Sequence, residues 1–281
     1  MTLSQALNKA KKELSPKGFR GGLESEILLG FVLQKERVFL HTHEHLELTH
    51  KEETRFFELV EKRLNDCPIE YLLGSCDFYG HSFFVNEHVL IPRPETEILV
   101  QKALDIISQY HLKEIGEIGI GSGCVSISLA LENPKLSIHA SDISPKALEV
   151  ALKNIERFNL KERVFLKQTR LWDHMPTIEM LVSNPPYIAR DYPLEKSVLK
   201  EPHEALFGGV KGDEILKEIV FLAAKLKIPF LVCEMGYDQL KSLKECLEFC
   251  GYDAEFYKDL SGFDRGFIGV LKSFLKNKVK T

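Results

Sequence analysis

Apolar residues recur at helical spacing through the first part of the chain. Leu3, Ala6, Leu7 and Ala10 share one face of a first predicted helix, Ile27, Leu28, Phe31 and Val32 of a second, and Phe56, Leu59, Val60 and Leu64 of a third. The pattern predicts a small helical domain over residues 1–73. It then changes: DFYGHSFFVNEHVLI sets aromatic and β-branched residues around Gly80, which predicts a β-hairpin over 74–91 linking two domains. Pro92 and Pro94 stiffen the exit from it, and an amphipathic helix begins at Glu95 or Thr96.

Strand and helix patterns alternate from there on. LKEIGEIGI, LSIHASD, RVFLKQ, IEMLVSN and IPFLVCEM read as strands, and CVSISLALEN, SPKALEVALKNIERF, DEILKEIVFLAAKLK and YDQLKSLKECLEFC as helices. The closing AEFYKDL and RGFIGVLK lie close enough in sequence to form an antiparallel edge. The alternation predicts a doubly wound, mostly parallel seven-stranded α/β sheet over residues 92–281.

Composition narrows the partners. Lys and Arg number 37 against 41 Asp and Glu, a formal net charge of −4, so no strong field draws the chain to a nucleic-acid backbone. At 281 residues and 44% hydrophobic, the chain can bury a sizeable core. No apolar run approaches the roughly 18 residues that span a membrane, and the first residues lack a signal peptide's apolar core. The 6 cysteines show no paired short spacing of a zinc site. The reducing cytoplasm is the expected compartment. The histidine run His41 to His45 has no third ligand nearby and reads as a solvated turn, so no metal is expected.

In open α/β sheets, ligands bind beyond the carboxyl ends of the strands. The loop after the first such strand is EIGIGSG, whose Gly119, Gly121 and Gly123 let the backbone approach a ligand closely. The spacing is GxGxG, unlike the GxGxxG of dinucleotide sites. Asp142 follows the next strand and can accept hydrogen bonds from both hydroxyls of a ribose. Ser144 and Pro145 behind it are a helix cap and first helical position, which gives Asp142 a competing role in the turn. Together the loop and the carboxylate point to a nucleoside site.

The fourth strand ends in LVSNPPYI. Pro185 and Pro186 donate no backbone hydrogen bonds, so the chain leaves the sheet there on a stiff mount. The Asn184 carboxamide and the Pro185 carbonyl can both accept from one planar NH2 group, and Tyr187 offers a flat face beside it. Beside a nucleoside site this becomes a site for transfer to a planar nitrogen.

These residues resemble a class I S-adenosylmethionine-dependent methyltransferase. NPPY is similar to the motif of enzymes acting on adenine-N6, guanine-N2 or glutamine-N5. PIEYLLG, LIPRPETE and the EP, EALFGG and GDE segments between Glu201 and Glu214 resemble the peptide-chain release factor glutamine-N5 methyltransferases in particular. The resemblance runs from about residue 68 to the C-terminus. It implies the class I methyltransferase sheet, with S-adenosylmethionine on Gly119, Ile120, Gly121, Ser122 and Gly123, its ribose on Asp142, Trp172 near its adenine and Asn184 beside it.

It also implies Asn184 and Tyr187 as catalytic residues, with Asn184, Pro185, Pro186 and Tyr187 clamping the glutamine carboxamide of a Gly-Gly-Gln segment. The helical domain would then dock the release factor to an enzyme expected to be a cytoplasmic monomer. Two positions depart from the family pattern: Glu117 stands where Asp is frequent, and Arg170 where a small or acidic residue is usual. Arg93, Glu95, Glu97 and Glu201 belong either to structural ion pairs or to the site wall. Three rivals remain at this level: a glutamine methyltransferase for a ribosomal protein, a nucleic-acid amine methyltransferase, and a cofactor-binding module without catalysis. The nucleic-acid enzyme predicts a basic groove that the charge balance does not advertise.

Overall fold

A computed structural model describes residues 1–278. The chain divides into two units, one of Met1–Ser75 with Leu194–Lys200 and the other of Cys76–Pro193 and Glu201 onward.

The first unit holds α1 (Leu3–Leu14), α2 (Gly21–Leu33), α3 (Arg37–Thr42), α4 (His50–Leu64) and α5 (Ile69–Leu73). Thr2 and Thr49 start α1 and α4 with reciprocal capping boxes to Gln5 and Glu52, which satisfy backbone donors that a helix start leaves open. Leu3, Ala6, Ala10 and Leu14 of α1 meet Phe56, Leu59 and Val60 of α4 in one core. The second helix buries a different face from the one its periodicity suggests. Ser25, Leu28 and Leu29 are buried while Phe31 is exposed, because the small residues Gly21 and Ser25 bring α2 close to its neighbours. The histidine run straddles the end of α3, so its first members are helical rather than part of a turn.

The second unit begins with the hairpin of β1 (Ser75–Phe78) and β2 (His81–Phe84) and continues with α6 (Thr96–Tyr110). A central sheet is then built from β3 (Glu114–Ile118), β4 (Ser137–Asp142), β5 (Val164–Gln168) and β6 (Met180–Ser183). Its helices are α7 (Cys124–Glu132) and α8 (Pro145–Arg157). A short parallel pair, β7 (Ile188–Ala189) and β8 (Phe207–Gly209), brackets α9 (His203–Leu206). The remaining elements are α10 (Glu214–Leu226), β9 (Phe230–Glu234), α11 (Leu240–Phe249), β10 (Tyr252–Lys258), β11 (Asp264–Leu271) and α12 (Lys272–Lys278).

The seven-stranded sheet runs β10-β11-β9-β6-β3-β4-β5. Its β9, β6, β3, β4 and β5 are parallel, and β11 lies antiparallel between β9 and β10. The expected antiparallel edge therefore forms. Burial explains the run-like apolar strands: β6 and β9 are buried along their whole length, covered on both faces by helices.

After β3 the chain moves first to β4 and β5 and then crosses back to β6. That reversal puts the topological switch point between β3 and β6, where loops at the carboxyl ends part to leave a crevice. The hairpin is tied to the sheet's helices rather than left as a free link. Asn154, fully buried on α8, accepts from the Phe84 N–H at 2.8 Å, and its Nδ2 reaches the carbonyls of Phe84 at 2.9 Å and Ser122 at 2.8 Å. Among the described residues, no helix is long and apolar enough to cross a membrane.

Candidate active site

The strand ends at the switch point supply the chemistry. Gly119, Gly121 and Gly123 all have positive φ, at 76°, 54° and 84°, a backbone that side-chain-bearing residues rarely adopt. A Cβ at Gly119 or Gly121 would meet no protein atom within 4 Å, so the glycines leave open space above the loop. The loop is pinned from β4. Gly119 and Ile120 donate to the Ser141 carbonyl at 2.8 and 3.0 Å, and Gly121 N–H donates to Asp142 Oδ2 at 3.0 Å.

Asp142 takes the turn role read from its position, and it also pins the glycine loop. Its Oδ1 accepts from the Ser144 N–H at 2.9 Å, which shapes the turn into α8, where the Ser144 side chain caps Ala147. Each carboxylate oxygen keeps a further lone pair for a ligand. Burial pushes the Asp142 carboxyl up, and backbone N–H groups of Ser144, Gly121 and Ile143 oppose that shift.

A cleft opens at these strand ends. Its walls include Gly119 to Ser122, Asp142, Asn184, Pro185 and Pro186. Six of the eight expected cofactor positions, Asn184 among them, therefore come together with Pro185 and Pro186. Gly123 sits just behind the wall, where a Cβ would press on Ile127 at 3.0 Å.

Glu117 ends β3 beneath the loop and is almost wholly buried. Ser126 donates to its Oε2 from both backbone N–H and hydroxyl. Burial pushes its carboxyl up to about 8, against those hydrogen bonds and with the help of the nearby Asp142. An acid raised in the folded state adds stability that is complete below its ordinary value of 4.5 and is lost as pH climbs toward about 8. Glu117→Gln is accordingly expected to flatten the fall in melting temperature between pH 5 and pH 8. An unchanged pH slope in thermal unfolding would contradict this protonation.

At the end of β6, Asn184 has its amide oriented by a chain of hydrogen bonds. Asn184 Nδ2 donates to Thr96 Oγ1 at 3.0 Å, Thr96 Oγ1 donates to Glu234 Oε2 at 2.7 Å, and the Tyr187 hydroxyl donates to Glu234 Oε1 at 3.0 Å. Glu234, at the end of β9, is fully enclosed. Burial pushes its carboxyl up, while the Thr96 and Tyr187 hydrogen bonds and the Arg265 charge act in the other direction. Asn184 Oδ1 is left buried without a hydrogen-bond partner among the described residues. A native structure rarely leaves such an acceptor unpaired unless a water, an ion or a ligand satisfies it.

Two expected site residues are placed differently. Trp172 is not a cleft wall: only 4% exposed, it packs with Ile118, Ile178 and Leu181, and its Nε1 donates to the Pro176 carbonyl at 3.0 Å. The indole covers Gly116 of β3, where a Cβ would fall 2.2 Å from the ring. Leu171, in a left-handed conformation at φ 52°, takes the wall position with Arg170. Trp172→Phe is expected to lower stability by about 2 kcal/mol, from a small void and a lost hydrogen bond, while leaving cofactor affinity within about threefold. Chemical denaturation and calorimetric titration separate the two effects.

Tyr187 is likewise absent from the cleft wall. Its hydroxyl is spent on Glu234, its carbonyl accepts from Gln239 Nε2 at 2.8 Å, and its ring joins the core on the β9 side. Its hydroxyl is thereby linked through Glu234 and Thr96 to the Asn184 amide.

The undecided charged residues also find places. Glu201 is buried and accepts from the Ile91 N–H at 3.0 Å and from the Arg93 guanidinium, tying together two segments that line the cleft at Pro92, Arg93 and Pro202. Glu97 accepts from the Tyr79 N–H at 2.7 Å and so anchors the hairpin turn. Arg170 lines the cleft and pairs with Glu218.

Residues 5–74 match the PrmC N-terminal domain family and residues 95–207 the Methyltransferase small domain family. A release factor glutamine methyltransferase of Dictyoglomus turgidum is 39% identical over 226 residues, covering 78% of this chain and 78% of that protein. One from Clostridium acetobutylicum is 33% identical over 281 residues, covering 96% and 99%. The N-terminal domain of human METTL16, solved in complex with SAH, superposes with a TM-score of 0.53 at 17% identity over 86% of this chain and 93% of that one. At that identity the likeness is one of fold.

Proposed function

Because this chain belongs to the release factor glutamine methyltransferase family, we propose that its cleft methylates the side-chain amide nitrogen of the glutamine in the Gly-Gly-Gln segment of class I peptide-chain release factors. It is a protein glutamine methyltransferase dependent on S-adenosylmethionine. The observation that carries the acceptor chemistry is the Asn184 Oδ1, unpaired among the described residues, on a residue that lines the same cleft as the glycine loop and Asp142.

The residues fit the cofactor: open glycines at Gly119 and Gly121 to admit it, and the Asp142 carboxylate to accept its ribose hydroxyls. When bound, S-adenosylmethionine supplies a methyl group made electrophilic by its sulfonium. The chain's own part is positioning. Asn184 Oδ1 accepts one N–H of the substrate carboxamide and the Pro185 carbonyl the other, so that the nitrogen is aimed and its lone pair loses some of its delocalisation. The stiff Pro185–Pro186 mount holds that geometry at little further entropic cost. The substrate proton is released after transfer, when the methylated nitrogen has become strongly acidic.

The test supplies methyl-labelled cofactor with a release factor, a ribosomal protein and DNA in separate reactions, and locates the label by mass spectrometry. Methyl on the Gly-Gly-Gln amide is the expected result. Label confined to the ribosomal protein or to DNA overturns the acceptor.

A further inference from the structure

A carboxamide side chain has two orientations of nearly equal shape, and a half-turn exchanges its acceptor for its donor. Nothing within Asn-Pro-Pro-Tyr selects between them. The selection comes from residues far off in sequence. The Thr96 hydroxyl has one proton, and the Glu234 carboxylate takes it at 2.7 Å. Thr96 Oγ1 can therefore offer Asn184 only a lone pair, and Asn184 Nδ2 occupies it at 3.0 Å. The Tyr187 hydroxyl holds the other Glu234 oxygen at 3.0 Å, so every donor in the chain points toward Glu234. The consequence at the far end is an Oδ1 with no partner among the described residues.

Resting on the glutamine reading above, we infer that Glu234, acting through the Thr96 hydroxyl, locks the Asn184 carboxamide with Oδ1 toward the substrate and so makes the site select a carboxamide over a carboxylate. A glutamine N–H satisfies Oδ1. A glutamate in the same place sets oxygen against oxygen, leaves both unpaired and adds the repulsion of a charge against a dipole's negative end. Sites built to pair a polar group reject the analogue that cannot pair far more strongly than apolar pockets reject a change of size. A released Asn184 amide would turn its Nδ2 outward and welcome the carboxylate. Thr96 and Glu234 are thus positioning residues, and the Tyr187 hydroxyl steadies the carboxylate on which they depend.

The test uses the full chain, a release factor, and the same release factor with glutamate in place of the target glutamine. Thr96→Val removes the hydroxyl at similar volume, Thr96→Ser keeps it, and Glu234→Leu removes the acceptor that takes the Thr96 proton. Kinetics on the glutamine form are read beside calorimetric affinities for both forms in the presence of S-adenosylhomocysteine. Thr96→Val is expected to lose about 10²-fold in kcat, the scale of a displaced reacting group, with cofactor affinity within about threefold. Its preference for the glutamine form over the glutamate form should shrink by about tenfold or more, a change that general loosening of the fold does not produce.

Thr96→Ser should recover most of both, and Glu234→Leu should follow Thr96→Val. Wild-type kcat and preference retained in folded Thr96→Val and Glu234→Leu would overturn the inference while leaving the reading intact. Wild-type enzyme that fails to methylate the release factor at all would remove the reading, and the inference with it.

Discussion

Asn184→Ala is expected to lower turnover by at least about 10³-fold while cofactor affinity changes by less than about threefold. The variant removes the only side-chain acceptor that the structure leaves unpaired at the end of β6 among the described residues, and it removes it from a position that Pro185 and Pro186 hold stiff. An amide nitrogen is a weak nucleophile, so loss of orientation leaves little chemistry behind. Removing one preorganised hydrogen-bonding group from an active site costs about 10²–10³-fold in other enzymes, and misplacing the reacting atom adds to that. The glycine loop and Asp142 are untouched, which is why cofactor affinity should hold. Single-turnover kinetics and calorimetry on the same preparation check both halves; near-normal turnover would sink the positioning mechanism.

Asp142→Ala should act in the opposite sense, weakening S-adenosylmethionine by about 10²-fold and leaving kcat at saturating cofactor much less affected. Hydrogen bonds to a charged group contribute about 1.5–3 kcal/mol each, and the carboxylate also orders the loop by accepting from Gly121. The turn into α8 loses the Ser144 contact as well, so a modest loss of stability accompanies the change. Equilibrium dialysis with labelled cofactor gives the affinity directly. An unchanged affinity would remove Asp142 from the ribose site and leave it as a turn residue alone.

The two variants separate the halves of the cleft because β3 with β4 and β6 with β9 supply different parts of it. The glycine loop belongs to the first pair, and it was legible because glycines favour the positive φ values it adopts. Asn184 belongs to the second, and its place at a rigid strand exit was legible because two prolines end a buried strand there. The two acidic strand ends were not equally visible. Asp142 stands beside a helix cap, which marks it, whereas Glu234 closes IPFLVCEM with no local motif around it. A strand-end carboxylate on the fifth strand is itself a signal under the carboxyl-end rule, and applying that rule to every strand would have found it.

Trp172 shows the limit from the other side. An aromatic in the loop after the third predicted strand is where an adenine neighbour belongs, but Gly116 leaves a hollow on β3 that the indole fills, and the backbone of Leu171 turns outward to take the wall. Tyr187 is similar: its place in Asn-Pro-Pro-Tyr is local, yet whether its ring stacks on a ligand or its hydroxyl holds Glu234 depends on β9 lying beside β6.

The sequence by itself determined the helical first part, the doubly wound sheet, the glycine loop with Asp142 and the rigid Asn184, since each follows from periodicity, backbone freedom or a missing donor within a few residues. Only the tertiary structure decided which way the Asn184 amide faces, that Glu201 ties Arg93 to the cleft wall, and that Trp172 and Tyr187 turn inward. Those outcomes rest on hydrogen bonds and packing between residues up to 138 positions apart, and no local pattern encodes which distant strand ends the fold will bring together.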